Sequence, residues 1–331
     1  MIINKIYVLS PANFKTGGTE LLHQFVKQLN DFKCPACIAY IGITADKDPI
    51  NESFKVYTNN FFLYENIPDD VGSVVVAPEI YIDYLKRFEK AKRIIWWLSV
   101  DNFEVNSNIR GFFKHRGFLR TIKILLTGKI QNRISSIRYG EINLYQSEYA
   151  RLYLLSLGYN NVLPVSDYVN DLFLQYDTRD ERNDYVLYNP KKGYNYTKRI
   201  ISRFPEFNWK PIENMSTEEV VSLLHQSKVY IDFGNHPGKD RFPREAAISG
   251  CCIITGMRGS AKNDIDVMIP HDYKFLDNNC SIPQIGERIR YCISNYKKAT
   301  KDFEAYRDRI RKEKSVFVNE VQKLILYLKK M

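Results

Sequence analysis

The chain has 331 residues, 44% of them hydrophobic, and 48 Lys and Arg against 38 Asp and Glu give it a formal net charge of +10. This length can fill one large or two medium cores, and no apolar run reaches the roughly 18 residues that would span a membrane. Six cysteines in so long a chain exclude a small disulfide scaffold, and the net charge favours an anionic lipid, a nucleic acid or a phosphorylated substrate as partner.

The N-terminal half alternates between β-rich apolar segments and helical patterns. It opens with a predicted strand at 5–10, a glycine turn at Gly17 and Gly18, and an amphipathic helix at 19–30. Further strands are predicted at 36–43, 73–77, 93–100, 142–146 and 162–165, and further helices at 79–90 and 148–157. Such alternation indicates a parallel sheet covered on both faces. The glycine turn lacks the spacing of a dinucleotide fingerprint or a P-loop, so neither is expected.

A polar, irregular segment at 166–183 is interpreted as a linker, after which the alternation restarts. Strands are predicted at 184–188, 207–212, 228–233 and 251–255, and helices at 197–203, 244–249 and 300–330. Ser216 followed by Glu219 predicts a capping box at one more helix start. The chain is therefore predicted to be an α/β protein with two Rossmann-like domains, at 1–168 and 169–305, and a C-terminal helix at 306–331.

The segment 232–255 joins two predicted strands through a loop that is rich in charge and helix breakers. Pro243 suits the first turn of a helix, where its missing N–H costs nothing. Ligands of open α/β sheets bind where strands end, and a helix N-terminus favours an anion. Since Lys239, Arg241 and Arg244 add positive charge at this helix start, we predict a phosphate or diphosphate site here.

One turn inside the same helix, Glu245 is predicted to accept hydrogen bonds from ligand hydroxyl groups. A plainer interpretation stays open for each residue. Asp240 could be an ordinary N-cap, Arg241 and Arg244 a solvated face, and Glu245 a carboxylate that complements the helix dipole.

Between Glu104 and Glu141 the sequence has no acidic residue, and basic residues interleave with aromatic and aliphatic ones. The basic side chains are Arg110, Lys114, Arg116, Arg120, Lys123, Lys129, Arg133 and Arg138. A basic helix with an apolar face lies well on an anionic membrane, so Arg110, Lys114, Arg116, Arg120 and Lys123 are predicted to contact the membrane or acceptor. A core-facing helix with a wet basic face is the alternative, and single-stranded nucleic acid is a weaker one.

Several motifs resemble one enzyme group. They are NPKKG at 189–193, NMS at 214–216, YIDFG at 230–234, PGKDRFPREAA at 237–247 and WWLSVD at 96–101. The pattern resembles GT-B glycosyltransferases of bacterial surface-polysaccharide biosynthesis (capsule, lipopolysaccharide O-antigen) related to glycosyltransferase family 4. The resemblance covers most of the chain and is most specific at 237–247. It implies two Rossmann-like domains that face a central cleft, and sugar transfer from a nucleotide donor to a lipid-linked or oligosaccharide acceptor.

The resemblance also implies roles for single residues. Lys191 or Lys192 falls where the family contacts the donor diphosphate, and Glu245 falls where it binds the ribose hydroxyls. The glycine turn at Gly17 and Gly18 falls where the family approaches the donor phosphates or the acceptor.

One position departs from the family. The glutamate usually found eight residues before Glu245 is Pro237 here, so the sugar-facing carboxylate is missing or replaced, with Asp240 as the candidate replacement. For a general base, Asp101 is the first candidate because it is predicted to end a strand at the cleft, and His23 and His236 are weaker ones.

Fixed cations and helix N–H groups can stabilise a diphosphate leaving group without a metal. The candidate cations are Lys191, Lys192, Lys239, Arg241 and Arg244. Two D-x-D triplets, at 46–48 and 264–266, are interpreted as loop carboxylates. We therefore expect no cofactor and no metal, with the nucleotide-sugar as co-substrate.

The predicted partners are a nucleotide-sugar donor, a lipid-linked saccharide acceptor and an anionic membrane surface, without nucleic acid. The predicted location is cytoplasmic and peripheral on the inner face of the membrane. Two other functions stay open at this stage: a GT-B nucleotide-sugar epimerase, and a non-enzymatic subunit that binds membrane or polysaccharide.

Overall fold

A computed structural model describes residues 2–43, 48–107, 109–116, 121–122, 134–174 and 181–331, with the backbone alone at 106 and 114–116. The chain forms two compact units. The first contains Met1–Asp167 together with Ser315–Met331, and the second contains Tyr168–Lys314.

The first unit is built on a seven-stranded sheet in which every pair of neighbouring strands is parallel. Its strands are β1 (Lys5–Pro11), β2 (Ala36–Ile41), β3 (Phe61–Leu63), β4 (Ser73–Pro78), β5 (Lys92–Trp97), β6 (Ile142–Tyr145) and β7 (Val162–Pro164). Their order is β3-β2-β1-β4-β5-β6-β7. The direction of winding changes between β1 and β4, and the carboxyl ends of strands at such a switch point are where ligands of α/β sheets bind.

The described helices of this unit are α1 (Gly17–Asp31), α2 (Val100–Ser107), α3 (Ile109–Arg116) and α4 (Glu148–Ser156). Thr16 caps α1 through a capping box with Thr19, and the apolar stripe of α1 is buried against the sheet, where the Phe25 and Trp96 rings lie 4.9 Å apart. The α-helix predicted at 79–90 is wrong. Glu79–Arg87 forms 3-10 turns interrupted by non-helical backbone at Tyr81, in a stretch of β-branched and aromatic residues that favour α-helix weakly.

The second unit has a five-stranded parallel sheet in the order β12-β11-β10-β8-β9. The strands are β8 (Asn183–Tyr188), β9 (Asn208–Pro211), β10 (Ser227–Asp232), β11 (Cys252–Gly256) and β12 (Lys274–Phe275). The helices are α5 (Tyr194–Arg203), α6 (Thr217–His225), α7 (Arg241–Ile248), α8 (Ile282–Ser294), α9 (Tyr296–Ala299) and α10 (Glu304–Lys330), the last of which continues into the first unit. The predicted capping box of Ser216 and Glu219 is confirmed at the start of α6.

Each unit has a core of its own beside its sheet. In the second, apolar side chains of β8, β10 and β11 are buried together with those of α7, α8 and the first turns of α10. Consecutive residues of these strands are buried, so both faces of the sheet are covered, which explains why the strands carry near-continuous apolar runs. Within the described residues, no helix combines the length and the apolar character needed to cross a bilayer.

Candidate functional site

Two loops meet at the carboxyl edge of the second sheet. The loop after β8 ends at Gly193, which has φ +61° and lies so close to the loop after β10 that a Cβ would come within 2.1 Å of the Phe233 carbonyl oxygen. Only glycine fits this approach. The tight packing brings Lys192, the residue before Gly193, beside the segment that leads into α7.

Lys192 forms a cluster with three titratable side chains from the end of β10 and the loop that follows it. The Lys192 ammonium donates to both carboxylate oxygens of Asp240, at 2.7 Å for Oδ1. The fully buried His236 ring lies between two carboxylates, with Nδ1 3.3 Å from Asp240 Oδ2 and Nε2 3.7 Å from Asp232 Oδ1. We call Lys192, Asp232, His236 and Asp240 the edge cluster.

The pKa values of three edge-cluster residues, Lys192, His236 and Asp240, are shifted in the direction of their charged forms. Burial lowers the pKa of the Lys192 ammonium, but Asp240 and Asp232 raise that pKa by more. Burial also opposes a charge on Asp240, yet Lys192 and His236 hold the pKa of its carboxyl well below its usual range. The pKa of His236 is raised, because Asp232 and Asp240 outweigh the lowering by burial.

The same residues raise the question of a metal. Asp232, His236 and Asp240 each offer a ligand atom, and these atoms lie within 4.8 Å of one another. However, the two ring nitrogens face different carboxylates, and Lys192 already binds both oxygens of Asp240. A cation would have to displace this ammonium, so we interpret the edge cluster as a set of ion pairs.

The start of α7 differs in detail from the predicted anion site. Asp240 occupies the N-cap position, but its side chain caps no backbone N–H of the helix and instead binds Lys192. This leaves the dipole and first-turn N–H groups of α7 without a side-chain cap from that residue. Arg241 is the first residue of α7 and is half-buried, and Glu245 is buried in its second turn.

Two of the predicted donor cations are held by a carboxylate that the sequence did not point to. Arg244 is fully buried, and its guanidinium donates to Glu313 Oε2 at 2.7 Å and to the Lys239 carbonyl oxygen at 3.0 Å. The Lys239 ammonium lies 2.9 Å from Glu313 Oε1. Contact of Lys239 and Arg244 with a donor stays a prediction. In this geometry both cations tie the loop before α7 to α10.

Lys191 differs from its neighbour. Its side chain is exposed, and its backbone N–H bonds the Asn189 side chain at 2.9 Å. Between the two lysines that the sequence offered for the diphosphate, the fold therefore directs Lys192 into the edge cluster.

A second charged pair at this edge was missed by the sequence analysis. Arg258, in the loop after β11, lies 2.9 Å from the carboxylate of Asp277, which follows β12. Burial raises the pKa of Asp277 to about 6. Arg258 also donates to the Asn235 side chain at 3.4 Å, so this pair adjoins the loop that carries His236. A strand as short as Lys274–Phe275 has no periodicity to detect, which explains why Asp277 was overlooked.

In the first unit, Gly17 and Gly18 follow β1, a strand of the switch point, and Asp101 follows β5. Gly17 and Gly18 begin α1 after a five-residue loop that follows β1, and a Cβ on Gly18 would come no closer than 3.8 Å to the Leu98 side chain. Asp101 does not end a strand as predicted: β5 ends at Trp97, and Asp101 lies in the first turn of α2, where Tyr149 donates to it at 2.7 Å. Both assignments of function stay predictions.

His23 is placed as a structural residue. Its Nδ1 lies 2.7 Å from the Thr19 carbonyl oxygen and its Nε2 lies 2.8 Å from the Tyr40 hydroxyl, and burial lowers its pKa. Both ring nitrogens are thus used within the core of the first unit.

Glu79 is a buried carboxyl at the same switch point that the sequence analysis did not single out. It follows β4 directly and accepts the backbone N–H of Leu98 at 2.8 Å, beyond the end of β5. Burial raises the pKa of Glu79 to about 7, although hydrogen bonds from the backbone oppose this. Its carboxyl joins the end of β4 to the turn that precedes α2 and Asp101.

The raised pKa of Glu79 predicts a pH-dependent stability. The pKa of Glu79 in the folded protein, about 7, exceeds its ordinary value of 4.5, so the protonated carboxyl stabilises the fold. This contribution to the free energy of unfolding is complete below about pH 4.5 and is lost as the pH rises to about 7. The loss is roughly 3 kcal/mol. Urea unfolding measured between these two pH values should show the free energy of unfolding of wild type falling as the pH rises. This fall should be smaller in Glu79→Gln and unchanged in Glu65→Gln, which replaces an exposed carboxylate. Parallel curves for wild type and Glu79→Gln would contradict it.

The basic segment lies partly outside the described residues. Arg110 is exposed in α3, Lys114 and Arg116 follow in that helix, and Arg120 and Lys123 lie outside the described part. Of the D-x-D triplets, the one at 46–48 is likewise described only at its third residue. In the other, Lys274 binds Asp264 at 2.8 Å and Asn263 binds Asp266 at 2.8 Å, which agrees with loop carboxylates.

No protein-family model and no curated protein sequence matches the chain. Solved structures do. TarM of S. aureus in complex with fondaparinux, alpha-GlcNAc-glycerol and UDP aligns over 98% of this chain and 99% of its own, with a TM-score of 0.68 at 10% identity. Alr3699/HepE of Anabaena in complex with UDP-glucose aligns over 99% and 100%, with a TM-score of 0.65 at 11% identity.

The lipopolysaccharide outer core galactosyltransferase WaaB is a third similar structure, with a TM-score of 0.57 at 12% identity over 98% of this chain and 99% of its own. The chain has the GT-B fold. The predicted fold class is thereby confirmed, with two parallel-sheet α/β units and a long C-terminal helix.

Proposed function

We propose that the chain is a glycosyltransferase that moves a sugar from a nucleotide-sugar donor to a saccharide acceptor. The observation that carries this proposal is the edge cluster, which brings a cationic side chain and the start of α7 together at the carboxyl edge of the second sheet. This is the edge at which α/β folds bind ligands. Support also comes from the GT-B fold, since two structures that share it hold UDP or UDP-glucose.

In this proposal the second unit binds the nucleoside diphosphate part of the donor. Lys192 contacts the diphosphate, and the first-turn N–H groups of α7 point at the same anion. Glu245, one turn along α7 and buried, accepts hydrogen bonds from the ribose hydroxyls. During transfer, negative charge grows on the diphosphate as the glycosidic bond to it breaks. Fixed positive charge at that point lowers the barrier more than it stabilises the bound donor.

We further propose a lipid-linked saccharide as acceptor and the inner face of the membrane as the place of action, for bacterial polysaccharide biosynthesis. The support is the acid-free basic stretch between Glu104 and Glu141, in which Arg110 is exposed. Anionic headgroups attract such a segment, and its aromatic and aliphatic residues suit the interface. Asp101, buried beside the Tyr149 hydroxyl, is the proposed general base on the acceptor side.

A donor panel tests the proposed function. Thermal unfolding is followed with UDP-, GDP-, ADP- and dTDP-sugars, and product is then assayed with soluble oligosaccharides and with lipid-linked saccharides in anionic or neutral vesicles. We expect one nucleotide class to stabilise the protein, and transfer to be faster from anionic vesicles. If none of the donors stabilises the protein, the donor site is refuted. Conversion of one sugar nucleotide into another in the absence of an acceptor would indicate an epimerase instead.

A further inference from the structure

His236 has an unusual position for a residue outside the proposed contacts with the donor. Its ring is fully buried, and each nitrogen faces a different carboxylate, Asp232 on one side and Asp240 on the other. An imidazole that has a carboxylate next to both nitrogens is best satisfied when both nitrogens carry protons. Asp232 has partners besides His236, since it accepts from the Tyr230 hydroxyl at 2.9 Å and from the Gly234 N–H at 3.0 Å.

The charges of the edge cluster make the protonation of His236 matter for an incoming anion. With a neutral ring, one ammonium faces two carboxylates and the edge cluster has a net charge of about −1; with a protonated ring it is about neutral. The Lys192 ammonium donates to both oxygens of Asp240, so it has to release that carboxylate before it can bind a phosphate with the same hydrogen bonds. Asp240 is buried, and a buried carboxylate that loses its cation is strongly destabilised.

We propose that His236 is a positioning residue that, by taking up a proton, replaces Lys192 as the partner of Asp240 when Lys192 turns to a nucleoside diphosphate. The proton comes from the solvent and no covalent bond changes. The proposal rests on the proposed function, and it deepens it by coupling donor binding to proton uptake at one named side chain. Release of the nucleoside diphosphate after transfer then returns the proton and restores the pair of Lys192 and Asp240.

Two further carboxylates act on the edge cluster. Asp277, held by Arg258, acts on His236 from the loop after β12, and Glu245 acts on Lys192 from α7. Asp277 is the second group here that could take up a proton when an anion arrives. Asp277→Asn therefore separates its contribution from that of His236.

Isothermal titration of the whole protein with UDP, in buffers that differ in ionisation enthalpy, counts the protons taken up per UDP bound. Near pH 8 we expect wild type and Asp277→Asn each to gain as much as about one proton more per UDP bound than His236→Gln does. The comparison cancels protons that UDP itself gains or loses. Affinity should fall about tenfold in His236→Gln and lose most of its pH dependence. His271→Gln, an exposed histidine beside Asp264, is the matched control and should behave as wild type.

Equal proton uptake by wild type and His236→Gln would overturn the proposal, and loss of the uptake in Asp277→Asn alone would move it to Asp277. Failure of UDP and of the other nucleoside diphosphates to bind wild type at any pH contradicts the proposed function instead. A ligand-free measurement then decides on the exchange itself. In Lys192→Met, Asp240 is left with His236, so the His236 ring resonances should titrate at higher pH than in wild type. An unchanged titration refutes the exchange.

Discussion

Lys192→Ala is expected to lower the rate of sugar transfer by about 10²–10³-fold, one of the two largest effects we predict. The reason is that a fixed cation next to the growing charge of a leaving group contributes roughly 3–4 kcal/mol to transition-state stabilisation. Its ammonium already lies at the carboxyl edge, where it exchanges Asp240 for the diphosphate without crossing the site. The measurement is kcat and kcat/KM with the donor that the panel identifies. Both constants should fall together if the contact strengthens in the transition state.

The adjacent lysine supplies the matched control. Lys191 has the same charge and lies one residue away, but its side chain is exposed instead of entering the edge cluster. Lys191→Ala should change kcat/KM by no more than about twofold, as is usual for an exposed charge. Equal losses in both variants would show that the segment contributes only general positive charge. A roughly 10²–10³-fold loss of kcat/KM in Lys191→Ala, with Lys192→Ala behaving as wild type, would assign the diphosphate contact to Lys191 instead.

The sequence predicted the parts of the fold that depend on local pattern. Strands such as Lys5–Pro11 and Ser227–Asp232 contain continuous apolar runs, and the capping box at Ser216 is a local signal, with Glu219 three positions on. The loop before α7 could be found because prolines, glycines and charges coincide there. The resemblance to GT-B enzymes then pointed to both lysines of 189–193 without deciding between them.

What the sequence left undecided depends on residues far apart in the chain. Lys192 and Asp240 are separated by 48 positions, and Arg244 and Glu313 by 69. No periodicity links such partners, so the functional candidate Arg244 could not be told from a buried ion pair before the fold was known. The carboxylate neighbours of His236 are only four positions away on either side, but the turn between β10 and α7 that brings both to its ring has no periodic signal, so the sequence offered His236 only as a weak general base.

The other large effect concerns stability. Arg244→Met is expected to destabilise the second unit by about 3–5 kcal/mol, because it leaves the buried Glu313 with one cation fewer. The change also removes donation to the Asp240 and Lys239 carbonyl oxygens, which holds the loop before α7 in place. Urea unfolding gives the free energy. Arg311→Met, which breaks an exposed pair with Asp308, should cost at most about 1 kcal/mol.

A double variant separates this structural role from the donor contact that the sequence predicted for Arg244. Replacing the buried pair by apolar residues, as in Arg244→Met with Glu313→Leu, should recover part of the lost stability, since two desolvated charges go together while the buried Lys239 loses its contact with Glu313. If Arg244 serves the fold alone, UDP should still raise the unfolding temperature of the double variant as it does that of wild type. Recovered stability without any stabilisation by UDP would instead establish Arg244 as a donor ligand, held by Glu313 until the diphosphate arrives.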